Sequence, residues 1–469
     1  MRRTLRSWWR EGERWYLAVG LANLVLGTSS ILIPLTVSEI YGRSVGAVGV
    51  LASLVSLVGV AGSLVWGRLS DAVHRRKPFV ILSYAAVGLC LLVISFASTF
   101  HQLVLLNMLF NFFWMANASV TVLIVIENRD QATWERKIGH LNQIGAIGWV
   151  SGLALGSLWM AILSRSVGEI SMIRSLFVMI GLGSLAAAFL ALRYVPRTIP
   201  KFTLRKFRGV ILATGNFIVE RARFAPLHLY HRLNPRRIVR LLTRPEGFRP
   251  GTRRFLLATL IAFMALGFFG IPLPLLLSQR FGFPSSLVFL LFMIQHVGIV
   301  FAYPLAAKRI RRLGNRSVQI ASLSIRVLLF AGAALYLLVS TSAPPMVLLV
   351  VAFIVYGVTW SYFQLSGVAL TSRLAREENR GAALGLYNAL AGFGWIFAGI
   401  GSSFVTEWAG YAATFGIASG LLLVSLTVLR FVPDPVAADA MDPERRAALQ
   451  PRGHLALLRP IAGWVVHRR

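Results

Sequence analysis

The sequence predicts an all-α integral membrane protein, with twelve transmembrane helices in two pseudo-symmetric six-helix bundles. Three observations predict this fold class: an apolar composition, twelve apolar runs of spanning length, and a basic segment that divides the runs six and six. Of the 469 residues, 56% are hydrophobic and only 14% are charged. Soluble domains carry a larger charged share. The expected surrounding of most of this chain is therefore a lipid bilayer.

The apolar runs set the expected domain bounds. A spanning helix needs about 20 consecutive, mainly apolar residues, and twelve runs have this length: 15–39, 46–67, 78–98, 102–126, 138–163, 173–194, 255–279, 285–307, 317–340, 345–371, 381–405 and 411–431. We predict four parts: an N-terminal bundle 1–194, a basic central loop 195–252, a C-terminal bundle 253–431 and a tail 432–469. The first run lacks a small-residue cleavage site, which indicates a retained helix rather than a signal peptide.

The basic residues lie almost entirely on one side of the predicted bilayer. The chain has 48 Lys and Arg against 17 Asp and Glu, and with the N-terminus in the cytoplasm 43 of the 48 fall in segments on that side. Cytoplasmic loops of membrane proteins carry such an excess. The pattern predicts a multi-pass protein of the cell (inner) membrane, with both termini cytoplasmic. It favours contact with an anionic inner leaflet over nucleic-acid binding, and we expect a monomer.

Two runs repeat each other and suggest an internal duplication. They share an asparagine followed by a Gly-Trp pair, at Asn142, Gly148 and Trp149 in the fifth run and at Asn388, Gly394 and Trp395 in the eleventh. Between the two sets of six runs, the stretches 201–211 and 236–244 mix apolar and basic residues. They are either interfacial amphipathic helices or parts of a solvated basic linker.

The loop after the second run carries the most specific motif of the chain. It reads Gly-Arg-Leu-Ser-Asp-Ala-Val-His-Arg-Arg over residues 67–76. This resembles the signature Gly-x-Leu-x-Asp-x-x-Gly-Arg-Arg/Lys of the major facilitator superfamily, with His74 in place of the second glycine. Together with the six-plus-six division, the resemblance covers nearly the whole chain. It implies the major facilitator fold and secondary transport of a small-molecule solute by alternating access, with no cofactor.

The motif also suggests a conformational latch. Asp71 ends the second run, where it can face the N-terminus of the eleventh helix near Gly381; the partial positive charge there favours an anion. Arg75 or Arg76 can in turn reach Glu127 or Asp130. Such a cluster would join the halves in one state and break in the other. The candidate latch residues are Gly67, Asp71, Arg75, Arg76, Glu127 and Gly381, and the alternative is an ordinary charge cluster of an inner loop.

The resemblance implies a binding cavity at mid-membrane between the bundles, lined by helices 1, 4, 7 and 10 with 5, 8 and 11 beside them. Polar and aromatic side chains near the middle of those runs are the candidates: Asn23, Asn107, Asn111, Trp114, Asn142, Gln295, His296, Tyr356, Trp360, Gln364 and Asn388. They favour an amphipathic or moderately polar solute. Hydrogen bonds of the same amides between helices are the structural alternative.

His296 is the sharpest of these candidates, because an ionisable group inside the membrane is costly and usually functional. Histidine titrates near neutral pH, which suits proton coupling, and Glu39 at the end of the first run is a second candidate. A neutral histidine with its hydrogen bonds satisfied is the alternative. The single cysteine and the scattered histidines predict no metal site. No Gly-Lys pair occurs, so the phosphate loop of ATPases is missing.

Transport therefore ranks above enzymatic activity, and the efflux-type members of the superfamily are the most similar. The fifth run lacks their usual Gly-Pro pair, so an importer or facilitator of a sugar or other metabolite stays open, as does a transporter-like sensor. Arg326 in the ninth run is expected to snorkel to lipid headgroups or to pair between helices. Pro34, Pro272 and Pro274 are expected to kink their helices.

Overall fold

The computed structural model describes residues 14–73, 76–127, 134–163, 167–196, 251–374 and 380–433. Twelve helices follow one another within these residues: α1 Tyr16–Glu39, α2 Val45–Val73, α3 Lys77–Ile94, α4 Phe100–Glu127, α5 Trp134–Leu163, α6 Glu169–Tyr194, α7 Thr252–Gly270 with the short continuations Leu273–Leu275 and Leu276–Arg280, α8 Ser285–Leu313, α9 Asn315–Val339, α10 Met346–Leu374, α11 380–409 and α12 411–430. The last two are separated only by Gly410, whose backbone is not helical (φ 80°, ψ 175°).

This architecture confirms the predicted all-α membrane fold. Ten helical segments among the described residues are long and apolar enough to cross a bilayer, with 383–430 counted as one segment. When that segment is divided at Gly410, it gives two spans, which makes eleven. The twelfth is α4, which is long enough to cross a bilayer but contains three asparagines. The predicted domain bounds remain a prediction, since most of the central loop and tail lies outside the described residues.

The helix ends agree closely with the apolar runs, except at α2 and α8. Both helices continue six residues beyond their runs, to Val73 and Leu313. Charged and polar residues extend the helix after the apolar stretch has ended. We call the side that holds these two ends, with Glu127, Trp134, Tyr194, Thr252, Leu374 and Arg380, the basic face. The opposite face holds the connections at 39–45, 94–100, 280–285, 339–346 and 409–411, together with Leu163 and Glu169.

Proline has different effects in two of the helices. Pro34 lies inside α1, which stays one continuous helix. In α7 the regular helix stops at Gly270, and after Pro272 and Pro274 the chain continues as a π-helical turn over Leu276–Arg280. A proline inside a helix removes a backbone donor and crowds the preceding turn, and two of them in three residues interrupt α7 as predicted.

The duplicated Gly-Trp pairs have equivalent packing roles in the two halves. A Cβ on Gly148 of α5 would lie 3.0 Å from the carbonyl carbon of Gly20 on α1. A Cβ on Gly394 of α11 would lie 2.9 Å from the backbone nitrogen of Met264 on α7. In both halves glycine lets two backbones touch, which is how membrane helices associate without a hydrophobic driving force.

Adding one methyl group at the α1–α5 contact tests this packing. A Cβ on Gly152 would lie 2.9 Å from the carbonyl carbon of Leu24 and 3.0 Å from the nitrogen of Thr28. We expect Gly152→Ala to destabilise the protein by about 1–3 kcal/mol and to lower its thermal unfolding midpoint in detergent. Gly385→Ala is the control, because its Cβ would meet no atom within 4 Å. Equal midpoints for the two variants would contradict the close contact.

Candidate functional site

Near the opposite face, α2 and α11 join the two halves tightly. The Glu407 carboxylate at the end of α11 accepts hydrogen bonds from the Ser44 hydroxyl and, at 3.0 Å, from the backbone N–H of Gly46. Two turns further along α2, the Ser53 hydroxyl donates to the carbonyl of Ile396 at 2.9 Å. Because Ser44 and Gly46 are at the start of α2, Glu407 caps that helix and its carboxylate complements the positive end of the helix dipole.

The contacts between these two helices continue to the middle of the membrane. Gly392, Asn388 and Gly385 lie on one face of α11, at the spacing of neighbouring helical turns. A Cβ on Gly392 would lie 2.9 Å from Val60 of α2. One turn on, Asn388 is exposed, and a Cβ on Gly385 would meet no described atom within 4 Å. Among the described residues, the close contacts between α2 and α11 therefore lie between Glu407 and Gly392.

The α5–α8 pair is closed over the same depth. The Ser157 hydroxyl donates to the Ser286 carbonyl at 2.9 Å, and deeper in the membrane the rings of Trp149 and His296 stack with centroids 5.6 Å apart and planes 14° apart. Further along α5, Asn142 is exposed. The Trp149–His296 stack is thus the cross-half contact of this pair that lies deepest from the opposite face among the described residues.

The stacked histidine has a defined hydrogen-bonding state. Its Nδ1 lies 2.9 Å from the Phe292 carbonyl one turn earlier. A carbonyl only accepts hydrogen bonds, so Nδ1 carries the proton and Nε2 is the other nitrogen available to a partner. The indole N–H of Trp149 is buried without an acceptor among the described atoms. A polar donor and an imidazole nitrogen therefore meet at mid-membrane, where the two halves touch.

Helices α7, α10 and α11 form an aromatic wall beside this contact. The Tyr356 hydroxyl and the Trp395 ring both lie against Gly270, 3.1 and 3.7 Å from where its Cβ would be. Trp360, one turn beyond Tyr356, meets Phe263 edge to face with centroids 6.3 Å apart. The side-chain oxygens of Gln295 and Gln364 are buried near α10 without a hydrogen-bond partner among the described residues.

The predicted amides of the first half are mostly satisfied locally. Asn111 donates to the backbone and side-chain oxygens of Asn107, at 2.9 and 3.0 Å, one turn away. Asn23 donates to the Val19 carbonyl at 2.8 Å and lies against Gly145 of α5. Trp114 is half-buried and its ring centroid is 6.4 Å from that of Tyr84. These contacts agree better with helix packing than with an open binding surface.

The candidate residues therefore separate into groups. Tyr356 and Trp360 lie together in the aromatic wall, and His296 meets the other half through Trp149. Asn142 and Asn388 are exposed on different helices. Glu39 accepts a hydrogen bond from Ser38 at 3.1 Å at the opposite-face end of α1, whereas His296 lies in the middle of α8.

Most of the predicted latch falls outside what the structure describes. Arg75 lies between described segments, and the side chains of Gly67, Asp71, Glu127 and Gly381 are not described. Arg76 is buried, and its Nη1 donates to the Ser70 hydroxyl at 2.9 Å. The latch stays a prediction.

Arg326 corrects the expectation of a lipid-exposed side chain. It is 0% exposed, so snorkelling to lipid headgroups is wrong and pairing between helices is what the structure contains. Its Nη2 donates to the Tyr356 carbonyl at 2.7 Å, and its guanidinium carbon lies 4.7 Å from the Tyr356 ring centroid and 5.8 Å from that of Trp360. Sequence reasoning also missed Glu407, although it is the sole acid in residues 379–433.

Two six-helix halves that are joined by hydrogen bonds and ring stacking, with aromatic and polar residues at their centre, are the parts of an alternating-access carrier. The sequence profile of the Major Facilitator Superfamily matches residues 15–364 and 255–467, so the chain belongs to this superfamily. It is a multi-pass membrane transporter of small-molecule solutes, not an enzyme.

Solved structures share this fold. The chain is similar to a POT family transporter in complex with 5-aminolevulinic acid (11% identity, TM-score 0.71, covering 90% of this chain and 96% of that one). It is also similar to the nucleoside transporter NupG (15%, 0.63, 89% and 98%) and to the partially occluded inward-open xylose transporter XylE from E. coli (14%, 0.61, 90% and 98%). No curated protein sequence matches the chain.

Neutralising Glu407 tests the opposite-face closure. A hydrogen bond to an ionised acceptor is about twice as strong as a neutral one, so Glu407→Gln is expected to weaken the closed state by about 1 kcal/mol, or about fivefold in population. Spin labels on Gly168→Cys and Thr341→Cys, in a Cys90→Ser background, report the distance between the halves by electron double resonance. The distribution should gain a longer component.

Glu407→Asp is the matched variant, since it keeps the charge and shortens only its reach. It should lengthen the distance less than Glu407→Gln if charge matters. An unchanged distribution in Glu407→Gln would contradict a closing role for this carboxylate.

Proposed function

We propose that this protein is a secondary active transporter that exports an amphipathic, drug-like solute across the cytoplasmic membrane by alternating access. The observation that carries this proposal is the closure of the two halves near the opposite face, together with the aromatic wall of α7, α10 and α11 in the middle of the molecule. The charge bias supports a cytoplasmic basic face, and with that orientation the proposed conformation is inward-open. We further propose a monomer in a bilayer whose inner leaflet is anionic.

The wall supports the solute class. Tyr356, Trp360 and Trp395 offer large apolar surfaces with polar edges, and buried aromatic rings of this kind contribute most of the contact energy of an apolar solute. The unpartnered oxygens of Gln295 and Gln364 add hydrogen-bond acceptors. The competing proposal is import or facilitated diffusion of a polar metabolite, because two of the similar structures are a nucleoside and a xylose transporter.

Flux into vesicles separates the two proposals. Everted vesicles expose the basic face, and right-side-out vesicles hide it. The probes are radiolabelled naphthalenesulfonate, its cationic counterpart naphthyltrimethylammonium, and xylose. Export predicts uptake of at least one naphthalene compound into everted vesicles that exceeds uptake into right-side-out ones. Xylose uptake in the absence of either aromatic flux favours the alternative, and binding of a probe without any flux indicates a sensor.

The inner latch is expected to work as the counterpart of Glu407. α2 and α11 run antiparallel, and each has an acid near its C-terminal end: Asp71 at the basic face and Glu407 at the opposite face. Glu407 lies at the N-terminus of α2, where an anion gains about 0.3–1 kcal/mol. We propose that Asp71 lies in the same way at the N-terminus of α11. Asp71 would hold the inward-closed state, with Arg75, Arg76 and Glu127 around it, as Glu407 holds the outward-closed state.

Removing the charge of Asp71 should therefore oppose the effect of Glu407→Gln. We expect Asp71→Asn to leave the opposite face closed and to slow transport about two- to tenfold, since the state that needs the inner latch loses stability. In Asp71→Asn/Glu407→Gln the spin-label distances should return toward those of the unmodified protein. If Asp71→Asn changes neither the distances nor the rate, the latch proposal fails.

His296 is the proposed proton carrier. Its available nitrogen lies at the contact between the halves, so protonation changes the charge where the halves touch. We expect His296→Gln to abolish the dependence of naphthalene-compound flux on an imposed pH gradient. The control is His101→Gln, at an exposed histidine near the opposite face. Flux that follows the pH gradient equally in both variants would exclude His296 as carrier; Glu39→Gln then tests the second candidate.

A further inference from the structure

Arg326 carries a positive charge into the middle of the membrane. It is the twelfth residue of the 25-residue helix α9, and none of its surface is exposed. Ionisable residues inside membranes almost always face the bundle interior or a water-filled cavity, and they pair with one another or with backbone carbonyls. An uncompensated buried charge costs several kcal/mol. The group that compensates Arg326 therefore bears on what the protein binds.

The chain supplies no carboxylate for it from the surrounding helices. Residues 251–376, which include α7 to α10, contain no Asp or Glu at all. In α11 and α12 the one acid is Glu407, at the opposite-face end and bound to Ser44 and Gly46. What Arg326 does have is a carbonyl of Tyr356 and two aromatic ring faces. These groups stabilise a cation without neutralising it.

Two of its donor nitrogens are also without an acceptor. Nε and Nη1 are buried and have no hydrogen-bond partner among the described atoms. Each of them shares with Nη2 one edge of the guanidinium, and such an edge binds a carboxylate, sulfonate or phosphate through two parallel hydrogen bonds. Nη2 has two hydrogens and donates one of them to the Tyr356 carbonyl, so one of the two edges keeps both of its donors. A buried N–H without an acceptor costs about 1–3 kcal/mol. The site therefore has both the charge and the paired donors for an oxyanion.

Arg326 contacts the aromatic wall to which we assign the solute. Its guanidinium carbon lies 4.7 Å from the Tyr356 ring centroid and 5.8 Å from that of Trp360. Tyr356 is buried and Trp360 is half-buried. A solute that contacts Trp360 therefore comes close to the guanidinium.

We propose that Arg326 supplies the counter-charge for an organic anion, so that the transported solute carries a negatively charged oxyanion on an aromatic or apolar body. This inference rests on the proposed transport function and assigns its substrate class. The positive charge repels cationic amphiphiles from the same site. Neutral sugars gain nothing from it.

Equilibrium binding of the two naphthalene compounds to detergent-purified protein tests the proposal. They share one ring system and differ in charge, so the ratio of their dissociation constants isolates the charge preference. We expect naphthalenesulfonate to bind the unmodified protein at least about tenfold more tightly than naphthyltrimethylammonium. Equal binding, tighter binding of the cation, or binding of neither compound overturns the proposal.

Variants at Arg326 assign the preference to this residue. Arg326→Met should weaken anion binding by about 10- to 100-fold and remove the preference, while Arg326→Lys should retain most of it. Arg316→Met is the matched control, because Arg316 lies at the start of the same helix and contacts the backbone of Leu429 and Arg430. A merely structural Arg326 would lower stability in Arg326→Met with the charge preference intact, and that result overturns the proposal.

The outcomes separate this inference from the proposed function. Flux of naphthyltrimethylammonium with no anion binding rejects the anion preference and leaves amphipathic export standing. Arg326-dependent anion binding without flux in vesicles rejects transport and leaves the anion site standing. Should Arg326→Met fail to fold, the preference measured on the unmodified protein and on Arg326→Lys still decides the question.

Discussion

The structure depends on the inability of the bilayer interior to form hydrogen bonds with polar groups. Inside the hydrocarbon region every backbone N–H and C=O must be bonded within the chain, which makes helices the only practical element. With little hydrophobic force left to join them, the helices associate where small residues let backbones touch. Gly148 and Gly394 provide such contacts at corresponding places in the two halves. The closed face follows from the same constraint, since hydroxyls and one carboxylate bond across α2–α11 and α5–α8.

The polar groups near the middle of the molecule fall into two sets: those whose hydrogen bonds are all made within the protein, and those with a donor or acceptor left over. Asn107 and Asn111 bond each other, and Asn23 bonds its own helix, so their cost is met within the protein. His296 has one nitrogen bonded, and Arg326 has one of its donor nitrogens bonded to Tyr356 while two are not. Groups left incomplete in this way are where an exchangeable partner, a proton or a solute, changes the energy most.

The sequence predicted the helices well and the site less well. Helix positions follow from run length alone, and the charged ends of α2 and α8 exceeded their runs by the most, six residues each. Side-chain neighbours across the molecule depend on packing that spacing on one helix does not reveal. Asn107, Asn111 and Trp114 share a face, yet the asparagines bond to each other. For Arg326 the sequence left lipid contact and pairing between helices open, because the position of a residue in its run does not show which side of a peripheral helix it occupies. Glu407 had no motif around it, and its role depends on the start of α2 lying opposite.

The break at Gly410 has a mechanical consequence. Other neighbouring helices at the opposite face are joined by connections several residues long, such as 40–44 and 340–345, which absorb relative movement. α11 and α12 share a single glycine, whose positive φ sets the turn. Because a single residue connects the two helices, α12 can move little relative to α11 at this end. A tilt of α11 away from α2 therefore moves α12 as well. Opening of the halves at the opposite face would then also move the surface that α12 presents on the outside of the bundle.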